Sequence, residues 1–186
     1  MERILKNTMV LMVCIFLLSS CATTHMLKPE DQPELTARPD TATLVIIRDT
    51  WFGGGIVFWN YLDGKLIGET MGNTYFVSYI PPGPHYVVAA TENTGIAHFD
   101  FQPGKIYSLR QGVTMGGWRA RTSGFFPLNP DEAAEAIKSC TYLKYDPNQG
   151  GEDMDPKLYQ QAIQEYHADV QANPEGYRAL LEYKGY

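Results

Sequence analysis

The stretch Ile56-Val57-Phe58-Trp59-Asn60-Tyr61-Leu62-Asp63-Gly64-Lys65-Leu66-Ile67-Gly68 decides the fold class. Apart from Asn60, its first half is apolar or aromatic, the composition of a strand that packs against something. Asp63-Gly64 tolerates the positive φ of a tight two-residue hairpin, and Lys65-Leu66-Ile67-Gly68 then returns as its partner. Upstream, Ala42 to Arg48 is a β-branched run, and Gly53-Gly54-Gly55 breaks the chain before the hairpin. Downstream, Thr74 to Ile80 reads as a strand that ends at Pro81-Pro82-Gly83-Pro84, because proline cannot donate to a ladder. His85 to Thr91, Ile96 to Gln102 and Ile106 to Gln111 follow, separated by Glu92-Asn93-Thr94-Gly95 and Pro103-Gly104-Lys105. About seven such runs predict an α+β protein built on an antiparallel β-sandwich or open barrel over residues 42–126.

The remainder, residues 127–186, reads as a helical extension packed on that domain. Asn129-Pro130-Asp131-Glu132 has a capping residue, a proline in the first turn and acids at the positive end of the helix dipole. Tyr142 to Tyr145 suggests a short strand. Asp155-Pro156 opens a longer helix to about Asn173, in which Leu158, Tyr159, Ala162, Ile163, Tyr166 and Val170 share one arc. Burial of Leu158, Ala162, Ile163 and Tyr166 against the sheet is expected. Asn173-Pro174-Glu175 starts a last helix through Glu182.

At the other end of the chain, Arg3 and Lys6 precede a short apolar run from Thr8 to Leu18, followed by Ser19-Ser20-Cys21. This is the layout of a secretory signal peptide over residues 1–20, and the run is too short for a spanning helix. It resembles the signal of bacterial lipoproteins, whose lipobox joins a leucine and two small residues to a cysteine. The resemblance implies cleavage between Ser20 and Cys21, diacylglycerol on the Cys21 thiol, and acylation of the new amino terminus. Acyl chains contribute about 0.8 kcal/mol per buried methylene, so chains of this kind hold a small domain firmly. The residue after Cys21 is Ala22 rather than aspartate; by the family rule this favours the outer membrane. Residues 21–41 carry Pro29, Pro33 and Pro39 among polar residues and read as a flexible tether.

Loss of residues 1–20 removes Arg3 and Lys6 against Glu2, so the formal net charge moves from −6 to −7. An acidic chain argues against nucleic acid and against a polybasic grip on anionic lipid. The expected partners are therefore the membrane, through the lipid, and an envelope protein or glycan. The chain has three cysteines. Cys14 leaves with the leader and Cys21 is acylated, so Cys140 has no intramolecular partner and is expected to be a buried small side chain.

The order Leu62-Asp63-Gly64-Lys65-Leu66-Ile67-Gly68, Gly72-Asn73-Thr74-Tyr75-Phe76, Tyr79-Ile80-Pro81-Pro82-Gly83-Pro84-His85 and Pro103-Gly104-Lys105-Ile106-Tyr107 is similar to a domain-of-unknown-function family of small β-domain prokaryotic lipoproteins with a PEGA-like pattern. That resemblance spans roughly Thr43 to Gln111 and implies a scaffold, with no reaction and no cofactor.

Motifs for catalysis are sparse. No nucleophile elbow, phosphate loop, paired-cysteine zinc motif or His-Glu-x-x-His is present. His98 and Asp100 share a strand face and are the one suggestive pair. A triad or metal site needs further groups, so the pair reads as a polar outer face opposite Ala97, Phe99 and Phe101. Trp59 with Tyr61, and Tyr75 with Tyr79, lie either in the core or on an open stacking platform. Trp51, Phe52, Trp118, Phe125 and Phe126 fall in or near loops. Trp59, Tyr61 and Trp118 are the candidate ligand contacts. The leading expectation is a non-catalytic, lipid-anchored structural or adaptor lipoprotein. A module for peptidoglycan or polysaccharide is the alternative, and an envelope hydrolase around His98 and Asp100 comes third.

Overall fold

The computed structural model describes residues 24–117 and 120–186. Along them run β1 (Met26–Leu27), β2 (Ala42–Arg48), β3 (Phe58–Leu62), β4 (Lys65–Thr70), β5 (Thr74–Ile80), β6 (Gly83–Ala90), β7 (Thr94–Phe101), β8 (Ile106–Met115) and β9 (Ala120–Leu128). Then come α1 (Pro130–Lys138), β10 (Thr141–Tyr145), α2 (Pro156–Ala172) and α3 (Pro174–Glu182). The strands form a six-stranded sheet, β1-β10-β5-β2-β8-β9, and a four-stranded sheet, β4-β3-β6-β7. The protein is an α+β sandwich whose two sheets do not close into a barrel.

The hairpin that decided the fold class forms one side of the smaller sheet, with β4 at its edge and β3 paired to β6. Asp63 and Gly64 both have positive φ, 50° and 84°, as a type I′ turn requires. Every pairing in that sheet is antiparallel. In the larger sheet β2–β8 and β5–β10 pair in parallel. The reason is connectivity. The whole second sheet intervenes between β2 and β8, and α1 carries the chain back across the sheet before β10, giving the crossovers that parallel neighbours need.

Alternation along the strands builds three apolar layers. Leu44, Ile46, Phe76, Val87, Ala89, Ala97, Phe99, Phe101, Tyr107 and Leu109 fill the space between the sheets. On the far side of the six-stranded sheet, Val45, Ile47 and Tyr75 meet Ala133 and Ala136 of α1. On the far side of the four-stranded sheet, Tyr61, Leu66, Val88 and Ile96 meet Ala162 and Tyr166 of α2. All three helices begin at an Asx-Pro pair. The side chain of Asn129, Asp155 or Asn173 accepts from backbone N–H groups of the first turn, while proline occupies a position whose N–H has no partner anyway.

Several expectations need correction. The strand β9 reads as loop in the sequence because Gly124 and Pro127 interrupt it. It forms at the sheet's edge, where a missing donor is tolerated. Consequently Phe125 lies in the core and Phe126 on a strand face rather than in loops. The boundary at 126/127 falls inside β9. Residues 127–186 are woven into the sandwich by β10 and by Tyr186, whose backbone exchanges two hydrogen bonds with Ile106.

The described part of the expected tether, from Thr24 onward, is docked rather than free. The strand β1 pairs with β10, Leu35 packs beside α1, the Thr43 hydroxyl donates to Thr36 O, and the Arg38 guanidinium stacks 3.3 Å from the Tyr79 ring centroid. In α2, Ala162 and Tyr166 are buried as expected and Ile163 is half-buried, but Leu158 is 58% exposed. The helix crosses the sheet so that Tyr159 covers Gly64 while Leu158 overhangs the β6–β7 turn.

Candidate functional site

Cys21, with its expected cleavage partner Ser20, and Trp118 lie outside the described residues, so the site is built from Trp59 and Tyr61. Strand alternation points Phe58 and Asn60 inward, where Phe58 stacks under the Arg48 guanidinium and Asn60 accepts from Gln111. Trp59 and Tyr61 therefore face outward on the four-stranded sheet. A shallow concavity of about 460 Å³ is lined there by Trp59, Tyr61, His25, Gly151 and Glu152. Trp59 is 39% exposed and Tyr61 only 8%. Tyr75 and Tyr79 belong to the outer face of the other sheet, so the four aromatics do not form one platform. Tyr75 is core under α1, and Tyr79 lies beneath Arg38.

Directly across the ladder from Trp59 stands Glu69. Its carboxylate is 1% exposed and accepts from the His25 backbone N–H at 3.1 Å, with the His25 Nδ1 at 2.5 Å from the other oxygen. The neighbouring Met26 sulfur accepts from the Glu69 N–H at 3.2 Å. Burial, reinforced by the carboxylates of Glu69, Asp153 and Glu152, pushes the Tyr61 hydroxyl above its ordinary range. Such a surface offers one aromatic face for stacking and the exposed Glu152 carboxylate as an acceptor beside it.

Nothing in the sequence singles out His25, Glu69 or Glu152 as neighbours. His25 and Glu69 are 44 positions apart, and no local pattern signals a pair so distant.

The other sequence candidates have local structural roles. His98 faces outward with Ile96, but its ring lies against Tyr86, 4.5 Å between centroids, beneath α2. Burial, followed by the charge of His167, holds its pKa below the ordinary histidine value. Asp100, two residues on, is exposed. Among the described residues, no three His, Cys, Asp or Glu side chains cluster as a metal site.

Asp63 and His85, the acid and the histidine of the turn motifs, are brought together. The Asp63 carboxylate accepts from the Tyr86 N–H at 2.9 Å and lies 2.5 Å from His85 Nδ1. That clamp fastens the hairpin turn to the start of β6. Cys140 is 5% exposed, and burial pushes its thiol up to about 11.

No family model matches the chain, and no solved structure matches it. Over 110 residues it is 30% identical to an uncharacterized protein of Haemophilus influenzae, which covers 54% of this chain and 66% of that protein.

Proposed function

We propose that this protein is a lipid-anchored bacterial envelope lipoprotein, held at the outer membrane through Cys21, whose domain works by contact with a partner rather than by catalysis. The observation that carries this reading is the clamp on His25. Only three residues separate His25 from Cys21, and four residue steps reach at most about 14 Å. A lipid on Cys21 therefore puts the sandwich at the bilayer surface instead of on the end of a long tether. The signal-like leader and the acidic charge support the same reading, since attachment then depends on lipid alone.

The contact reading rests on Trp59, an indole 39% exposed on the outer face of the smaller sheet, directly across the ladder from the buried acid Glu69. A photo-crosslinking residue at position 59, activated in intact envelopes, is expected to trap one discrete envelope component. Equivalent placement at Lys157, on the exposed start of α2, is expected to trap none. Identical patterns from both positions would count against a site at Trp59.

A glycan ligand is the second reading, favoured by the pairing of Trp59 with the Glu152 carboxylate in one concavity. Co-sedimentation with purified peptidoglycan, weakened by Trp59→Ala, tests it. Unchanged sedimentation of the variant would leave the adaptor reading alone.

A further inference from the structure

The loops at one end of the sandwich are built to hold an apolar tip rigidly in the open. Register places them together: Arg48 pairs with Thr74, Phe58 with Thr70, Ala90 with both Trp59 and Thr94, and Met115 with Ala120. Trp51 and Met115, both at this end, are the most exposed large apolar side chains among the described residues, at 79% and 72%.

The loop carrying Trp51 is not slack. The fully buried Arg48 guanidinium donates to Ile56 O at 2.7 Å, Gly53 O at 2.7 Å and Phe52 O at 3.2 Å. No carboxylate among the described residues pairs with it, and desolvation pushes its pKa down to about 10. Burying an uncompensated charge is costly. Here its two terminal nitrogens donate to the carbonyls of one loop, while its Nε has no partner among the described residues. The turn between β4 and β5 braces the same loop, through Gly72 N–H to Gly54 O at 3.1 Å and Asn73 N–H to Thr50 O at 3.2 Å. A Cβ on Gly72 would lie 2.7 Å from the Gly54 Cα, closer than real Cβ atoms approach backbone, so glycine is what permits this seating.

Two further observations say what covers the tip. The membrane-proximal end of the described chain is fixed near this end of the four-stranded sheet: His25 is held by Glu69, one rung from the last pair of the β3–β4 ladder, although β1 itself pairs with Lys144 and Tyr145 at the far end of β10. The acids here are also matched by arginines, Asp49 with Arg110 at 2.9 Å and Glu92 with Arg121 at 3.7 Å. The protein's net negative charge is therefore not concentrated against a headgroup layer at this end.

We infer that this end of the sandwich rests on the bilayer, with Trp51 and Met115 seated in the interfacial layer beside the lipid anchor. The inference rests on the lipid-anchor reading and adds an orientation to it. Tryptophan suits the site, because its ring is apolar and its N–H seeks a polar partner, as at membrane–water interfaces. A preformed loop loses little conformational entropy on insertion.

The test uses the full lipidated protein, with Trp59→Phe and Trp118→Phe leaving Trp51 as its sole tryptophan. It is reconstituted in phosphatidylcholine vesicles whose acyl chains carry bromine near the headgroup, or no bromine. Bromine is expected to reduce Trp51 emission to roughly half or less, as for an indole in the interface. Should the double variant fold poorly, Trp51→Phe in the otherwise native protein is expected to remove most of the bromine-dependent quenching. A lipidated protein whose Trp51 emission is indifferent to bromine overturns the orientation and leaves the anchor standing. A mass showing no lipid on Cys21 overturns both, so the two failures are distinguishable.

Discussion

His25 Nδ1 lies 2.5 Å from an oxygen of Glu69, joining a residue just beyond the expected lipid-bearing cysteine to a carboxylate buried under the edge of the smaller sheet. This contact turns an apparent tether into a strap. His25→Ala leaves the Glu69 oxygen without its ring partner, and a buried group so stranded costs about 1–3 kcal/mol. The variant is expected to melt earlier and to become sensitive to protease between residues 24 and 41. Unchanged protection of that segment would show that the rest of the strap holds it without His25.

The hairpin turn gives a sharper contrast. Gly64 has φ 84°, a conformation that costs a side-chain-bearing residue about 1–2 kcal/mol. Gly64→Val is therefore expected to lower stability by that amount. Lys65→Val loses only an exposed ion pair with Asp153 and is expected to stay within about 0.5 kcal/mol of wild type. Denaturant midpoints measured side by side decide it.

Much of the sandwich was legible in the sequence because its signals are local. Asp63-Gly64, the Pro-Gly turns and the three Asx-Pro helix starts announce themselves within a few residues. The misses have a common physical cause. The strand β9 tolerates Gly124 and Pro127 only because it occupies an edge, and Leu158 is exposed because of how α2 crosses the sheet. Both depend on tertiary placement. The same holds for the site: Trp59 and Tyr61 were readable as candidates, whereas His25, Glu69 and Glu152 join them only through folding.

His98 supplies a pH signature. Its pKa in the folded protein lies below the ordinary value, mainly through burial, so the unfolded chain binds the proton more readily. Stability is thus unaffected well above the ordinary histidine value of about 6.5, and it falls as pH drops from there toward the depressed value. His98→Gln is expected to flatten this part of the stability–pH profile relative to wild type. Neighbouring His85, His167, Asp63 and Asp100 are retained in both proteins, so the difference isolates His98. The double variant His98→Ala, Asp100→Ala is expected to keep envelope function. A folded double variant without function would revive the hydrolase reading.

Cys140 is expected to resist alkylation. With its thiol at about 11 and its sulfur directed to Ala136 O, little thiolate is present or accessible at mildly alkaline pH. Iodoacetamide labelling should be at least about tenfold slower in the native protein than in denaturant. Comparable rates would show that α1 opens readily from the sheet.

The most direct measurement is metabolic labelling of cells with radioactive palmitate, comparing wild type with Cys21→Ser. Label in the wild-type protein, its absence from Cys21→Ser and loss of membrane attachment by the variant are the predicted results. A wild-type protein that takes up no label, or a Cys21→Ser protein that keeps it, would contradict the lipid anchor on which the proposed function stands.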